Sequence, residues 1–290
     1  MKKLSNRKLM LLLIAVAFLL VATGCQNNMD PTTHQTLPEK IIYLTTAWGD
    51  MWKSEGLFTS LIVYPLAQMI NFFSQYLGVV MGIVLTTVLV NVLTLALSKK
   101  STIDMQKIQM LQPELQKIQA KYEGKDDDAS KMKQASEMQA LYNKHGVNPL
   151  GSIVTPFLQL PIMMAMYYAV QRAAAVCQGS IMGTELILTP MDGLKNGGII
   201  LIVIYILMGV CQFLSIKTPQ WLADKKQKEM KKKSYDKNQK NPSNGMMTYG
   251  MLAMILIIAV NWPTAMSLYW MVSSLVNVIK TLYIQKRYVD

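Results

Sequence analysis

Asn91 and Gln159 are amides set inside long apolar runs, where a hydrogen-bonding side chain is costly, and they have company. Thr87, Asn91, Thr94 and Ser98 follow one another at intervals of four, three and four, which places them on one face of a helix. Ser152, Thr155 and Gln159 do the same in a second run, Gln212 and Ser215 lie in a third, and Ser267, Trp270, Ser274 and Asn277 share a face in the last. Such groups offer hydrogen bonding, not bond making, because the serine-rich run has no histidine or aspartate beside it to activate a nucleophile. Two readings are open. In one, the groups are glue between packed helices, each contact contributing about 0.6–2 kcal/mol. In the other, they line a water-accessible cleft that holds the hydrophilic part of a passenger polypeptide while its apolar part moves into lipid, driven by its own burial.

Other chemistries have little to work with. Cys25, Cys177 and Cys211 are too few and too scattered for a disulfide framework or zinc site, and His34 and His145 lie far apart. No phosphate-binding glycine loop, dinucleotide fingerprint or nucleophile elbow occurs, so neither catalysis, a cofactor nor a metal is expected. The net charge of +12 sits in lysine blocks without interleaved aromatics, which argues for membrane topology and against a sequence-specific nucleic-acid partner.

The elements that position the polar residues follow from hydropathy. The chain is 51% hydrophobic, and the pattern predicts an all-α polytopic membrane protein with five transmembrane helices at 77–98, 149–172, 197–216, 246–261 and 263–281. The last two are separated at Asn261-Trp262-Pro263, where proline ends a helix. The fourth, at about 24 Å, is shorter than the hydrocarbon core of about 30 Å and would thin the membrane locally. Residues 1–24 read as a cleaved signal peptide with a basic start and an apolar run, and Thr23-Gly24-Cys25 resembles a lipobox that would leave a palmitate-bearing lipoprotein cysteine at Cys25.

Nine lysines lie between Ser98 and Asn148 and nine more between Lys217 and Lys240, against Lys40, Lys53 and Lys195 on the other side. Positive residues stay in the cytoplasm, so the anchored amino terminus is expected outside and the tail, 282–290, inside. Within the extracytoplasmic segment 25–76, apolar residues recur at helical spacing from Leu57 to Leu77, as in an interfacial helix. Residues 99–147 should form a cytoplasmic helical hairpin. Leu111, Leu115, Ile118 and Tyr122 would face Met132, Ala135, Met138 and Tyr142, with Pro113 in a first turn and Asp128 as a cap. Residues 173–195 form an outer loop, and 217–245 a basic, mobile cytoplasmic loop.

The stretches LQPELQKIQAKYEG (111–124), LYNKHGVNPLG (141–151), FLQLPI (157–162) and PTAMSLYWMVSSLVN (263–277) together resemble the YidC family of membrane protein insertases, in order and at that family's spacing. A lipoprotein signal with a short outer region is similar to its Gram-positive type. The resemblance implies an insertase and chaperone of the bacterial cell membrane, working through a groove open to the cytoplasm. Its client-contacting residues would be Thr87, Asn91, Thr94, Thr155, Gln159, Gln212, Ser215, Trp270, Ser274 and Asn277. Nascent membrane proteins and membrane lipids are the implied partners, with the Sec translocon and the ribosome left open.

This chain departs from the family pattern at Asn91, where an arginine is usual, at Ala96 and Thr155, where proline is common, and at Ser215, which replaces a glutamine. A neutral amide in place of a guanidinium offers hydrogen bonds but no attraction for acidic passengers. The alternatives are an assembly factor of the same fold with altered insertase activity and, more distantly, a small-molecule transporter. The latter usually keeps acidic or paired ionisable residues in its spans.

Overall fold

The computed structural model describes residue 28, residues 36–233 and residues 245–289. The signal peptide and Cys25 lie outside the described residues. Among the described residues the regular structure is helical apart from a two-residue antiparallel ladder, β1 (Ser180–Ile181) with β2 (Thr184–Glu185), and an isolated parallel bridge between Ile42 and Ala173.

Short helix α1 (Trp48–Ser54) leads into helical chain from Gly56, through a π turn at Thr59–Val63, to α2 (Tyr64–Leu77). Gly78, at φ +81°, closes α2 with its N–H on the Ser74 carbonyl. The chain then enters α3 (Val79–Lys121), 43 residues without interruption. Next come α4 (Asp128–Lys144), α5 (Pro149–Arg172) and, past the β ladder, α6 (Pro190–Asn196), which starts on a reciprocal capping box between Thr189 and Asp192. α7 (Ile199–Lys233), α8 (Gly245–Ala259) and α9 (Thr264–Ile284) complete the chain, and helix is lost between Ala259 and Thr264, around Pro263. Among the described residues, Gly56–Leu77, Val79–Lys121 and Ile199–Lys225 are helical stretches long and apolar enough to cross a membrane.

Three local expectations change. Pro113 lies inside α3 and not in the first turn of a new helix. The helix survives its missing N–H because Ile108, Leu111 and Leu115 on either side are buried with Val147, against Met138, Leu141 and Tyr142. The cap of α4 is Asp127, not Asp128: its carboxylate accepts from the Ser130 N–H at 2.8 Å. Finally, 217–233 is helix continuous with α7, where an irregular basic loop was expected, even with Pro219 inside it. Lysine is a good helix former once a helix already arrives to be extended.

The chain forms two compact units. One gathers Met1–Val92, Pro156–Val210 and Met254–Ser273; the other gathers Leu93–Thr155, Cys211–Ala253 and Ser274–Asp290. Helices α3, α5, α7, α8 and α9 each contribute a segment to both. The first unit has the larger apolar core, including Ile70, Ile83, Met166, Leu186 and Met266. Here α2 and α3 approach so closely at Gly82 that a Cβ would stand 2.0 Å from Ser74 Oγ and 2.8 Å from the Ile70 carbonyl oxygen. Only glycine fits that crossing.

Candidate functional site

In the first unit, the polar face of α3 turns partly inward. Thr87 is fully buried and its hydroxyl donates to the Ile83 carbonyl at 2.7 Å, within its own helix. One turn on, half-buried Asn91 donates from Nδ2 to the Thr87 carbonyl at 2.9 Å and to Ser273 Oγ at 3.1 Å, so the amide ties α3 to α9. Gln159 is exposed on α5, and its Nε2 lies 3.4 Å from the hydroxyl of the buried Tyr269, long for a hydrogen bond. Among the described residues that amide keeps most of its hydrogen-bonding capacity. Trp270 stacks on Trp262 with ring centroids 5.3 Å apart, and Trp262 in turn lies 4.4 Å from the Tyr167 ring. The side chain of Thr155 lies outside the described residues.

The second unit holds the remaining candidates. Ser274, buried, donates to Gln212 Oε1 at 2.5 Å and joins α9 to α7. Thr94 is half-buried, and its carbonyl accepts from the Ser98 hydroxyl at 2.6 Å. Ser215 and Asn277 are half-buried, and among the described residues neither side chain has a hydrogen-bond partner. Further along α9, Gln106 of α3 donates to the Thr281 carbonyl at 2.9 Å and to Gln285 Oε1 at 3.0 Å.

Sequence reasoning singled out both members of the tie between Ser274 and Gln212, only Asn91 of the tie to Ser273, and neither Gln106 nor its partners Thr281 and Gln285. Ser273 escaped because periodicity selected its neighbour Ser274, and Gln106 because it lies among charged residues that look solvated, although it is buried. Lys280 also escaped, as a residue at the end of an uncharged run; it is half-buried on α9.

A second polar constellation in the first unit was not foreseen. Arg172, at the end of α5 and 1% exposed, reaches Glu55 Oε2 at 3.2 Å and donates from Nε to the Lys40 carbonyl at 2.7 Å. Lys40 Nζ in turn meets Glu55 Oε1 at 2.8 Å. The backbone joins in: the Ile42 N–H donates to the Arg172 carbonyl at 2.6 Å, the Ala174 N–H to the Ile42 carbonyl at 3.1 Å, and the Thr36 hydroxyl to the Gln171 carbonyl at 2.7 Å. Asn71 of α2 closes the set by donating to the Ile42 carbonyl at 2.6 Å and accepting from the Ala175 N–H at 2.9 Å. Cys177 sits beside it, its thiol pushed up by burial and bonded to the Gln171 carbonyl, so the reactive thiolate is disfavoured. Among the described residues, no group of three or more His, Cys, Asp or Glu side chains is placed to hold a metal ion.

Comparison with known proteins gives these features a family. The model of the 60Kd inner membrane protein family matches residues 69–290. Membrane protein insertase YidC 2 of Bacillus anthracis is 31% identical over 97% of this chain and 94% of its own length. Membrane protein insertase MisCA of Bacillus subtilis is 30% identical over 97% and 93%. Membrane protein insertase YidC 1 of Halalkalibacterium halodurans is 29% identical over 96% and 91%. The match spans every helix from α3 to α9, and the chain therefore belongs to the 60Kd inner membrane protein family, as an all-helical, multi-pass bacterial membrane protein.

Proposed function

We propose that this protein is a membrane protein insertase that holds the hydrophilic segment of a nascent client against neutral polar side chains within the membrane while the client's apolar segment passes into lipid. The family and the names of its relatives support the activity. The observation that carries the polar-groove reading is Gln159, an exposed amide on an apolar helix whose one contact among the described residues is a long one to Tyr269. Glue accounts for Asn91 with Ser273 and for Ser274 with Gln212. It does not account for an amide left open, which in hydrocarbon carries a penalty of about 2 kcal/mol or more unless water or a polar passenger meets it. Ser215 and Asn277, half-buried and unbonded among the described residues, favour the same reading.

In this reading α3, α5, α7, α8 and α9 cross the bilayer, and α2 lies at the outer interface, tied down through Gln68 and Asn71 to the backbone of residues 42–46. The lysine-rich end of α3 with α4 is a cytoplasmic hairpin, where a ribosome or translocon would dock. The carboxyl terminus is inside, and Cys25 carries the lipid outside. No covalent step is involved: burial of the client's apolar segment supplies the driving force.

The test is reconstitution into liposomes with a single-span client, scored by protection of its translocated tail from added protease. Photo-crosslinkers at Asn91 and Gln159 should capture the client during insertion. Capture of this chain's own helices alone, with no protected client, would point instead to an assembly factor of the same fold.

A further inference from the structure

Lys280 is the one charged side chain in α9, which otherwise runs from Thr264 to Ile284 with neutral residues. It follows Asn277 by three positions and precedes Ile284 by four, so it shares the side of the helix that carries a half-buried amide and a side chain 2% exposed. The exposed side carries Leu275, Ile279, Leu282 and Tyr283. Along α9, Lys280 stands between two polar ties within the second unit, Ser274 to Gln212 and Gln106 to Thr281. Among the described residues it forms no salt bridge, and none of their carboxylates comes within 4.0 Å of it. A half-buried cation without a counter-ion in a membrane helix is expensive, and such residues mark the path of a substrate or ion.

We propose that Lys280 is a specificity-determining residue of the insertase: its ammonium group receives a carboxylate of the client's hydrophilic segment, so the protein favours clients whose moving segment is acidic. This rests on the insertase reading above. The competing source of an oxyanion is a lipid phosphate. A lysine reaching for headgroups would be expected on the lipid-facing side with Ile279 and Tyr283, whereas Lys280 is aligned with Asn277 and Ile284.

The experiment uses the full-length protein in vesicles and two single-span clients that differ only in having aspartates or asparagines in the translocated tail. Wild-type protein should insert the aspartate client better. Lys280→Met should lower insertion of that client about tenfold and leave the asparagine client unchanged, while Lys280→Arg should retain the preference. Lys280→Glu should reverse it toward a lysine-tailed client, which keeps the idea testable if the methionine variant folds poorly. Equal effects of Lys280→Met on both clients would overturn the proposal. If that loss also appeared only in vesicles containing anionic lipid, a headgroup would be the ligand of Lys280. Failure of wild-type protein to insert either client would instead overturn the insertase reading itself, and the proposal with it.

Discussion

The Arg172 guanidinium lies 3.2 Å from the Glu55 carboxylate, with the two side chains 1% and 3% exposed, so α5 is pinned to the segment that precedes α2 by a fully withdrawn ion pair. Breaking such a pair from one side leaves an uncompensated buried charge. Arg172→Met should destabilise the folded protein by about 3–5 kcal/mol. Glu55→Gln should cost less, since an amide still accepts from the guanidinium. The double variant should recover part of the loss, read as thermal unfolding in detergent.

Gly82 should tolerate almost nothing else. Gly82→Ala places a methyl group on Ser74 Oγ and against the Ile70 carbonyl, and overpacking of that kind costs about 1–3 kcal/mol. Adding Ser74→Gly should restore only part of the stability, because the carbonyl 2.8 Å away remains. Full restoration would mean that the side chain, not the backbone approach, limits the crossing.

The tie between Asn91 and Ser273 should be weak in stability and visible in function. A double-mutant cycle of Asn91→Ala and Ser273→Ala is expected to give a coupling of about 0.6 kcal/mol. Insertion yields for the same variants should fall by more than that coupling accounts for if the amide also meets clients.

At the far end of α3, Lys121 and the Tyr122 hydroxyl both donate to Glu137 of α4. These bonds, the one from Lys121 first, hold the Glu137 carboxyl below the usual glutamate range. A lowered carboxylate value stabilises the folded form above the unfolded glutamate value, and that contribution is lost as pH falls through the lowered value. Lys121, held high by the bond to Glu137, behaves oppositely, losing its contribution only as pH rises through its raised value. Amide exchange in α4, corrected for intrinsic rates, should therefore accelerate in acid below the ordinary glutamate range. Glu137→Gln should reduce that acid dependence, leaving the part due to the Asp127 cap, whose carboxyl is also held low by its bonds to Ser130.

What could be read from sequence was what repeats or what is local. Proline announces a break at Asn261-Trp262-Pro263, and the chain leaves helix there. A four-three spacing marked Asn91 and Ser274 because both stand out against apolar neighbours. The pairings did not show: Ser273 sits one residue off the chosen stripe, and Gln212, although singled out as a polar candidate, carried no mark as the acceptor for Ser274. The role of Arg172 leaves no periodic trace in the sequence, because its counter-ion lies 117 positions earlier. Pro113 misled in the other direction, since a local helix breaker was overruled by apolar packing on both sides of it.

The strap that joins Thr36 to Gln171 and Ile42 to Arg172 and Ala174 has a consequence for the start of the chain. Cys25 precedes Thr36 by eleven positions, a leash no longer than about 40 Å even when drawn out straight. If Cys25 is acylated as proposed, the acyl chains attached there would roam only a small disc of leaflet around the end of α5, grazing beside the spans and never wandering off across the membrane.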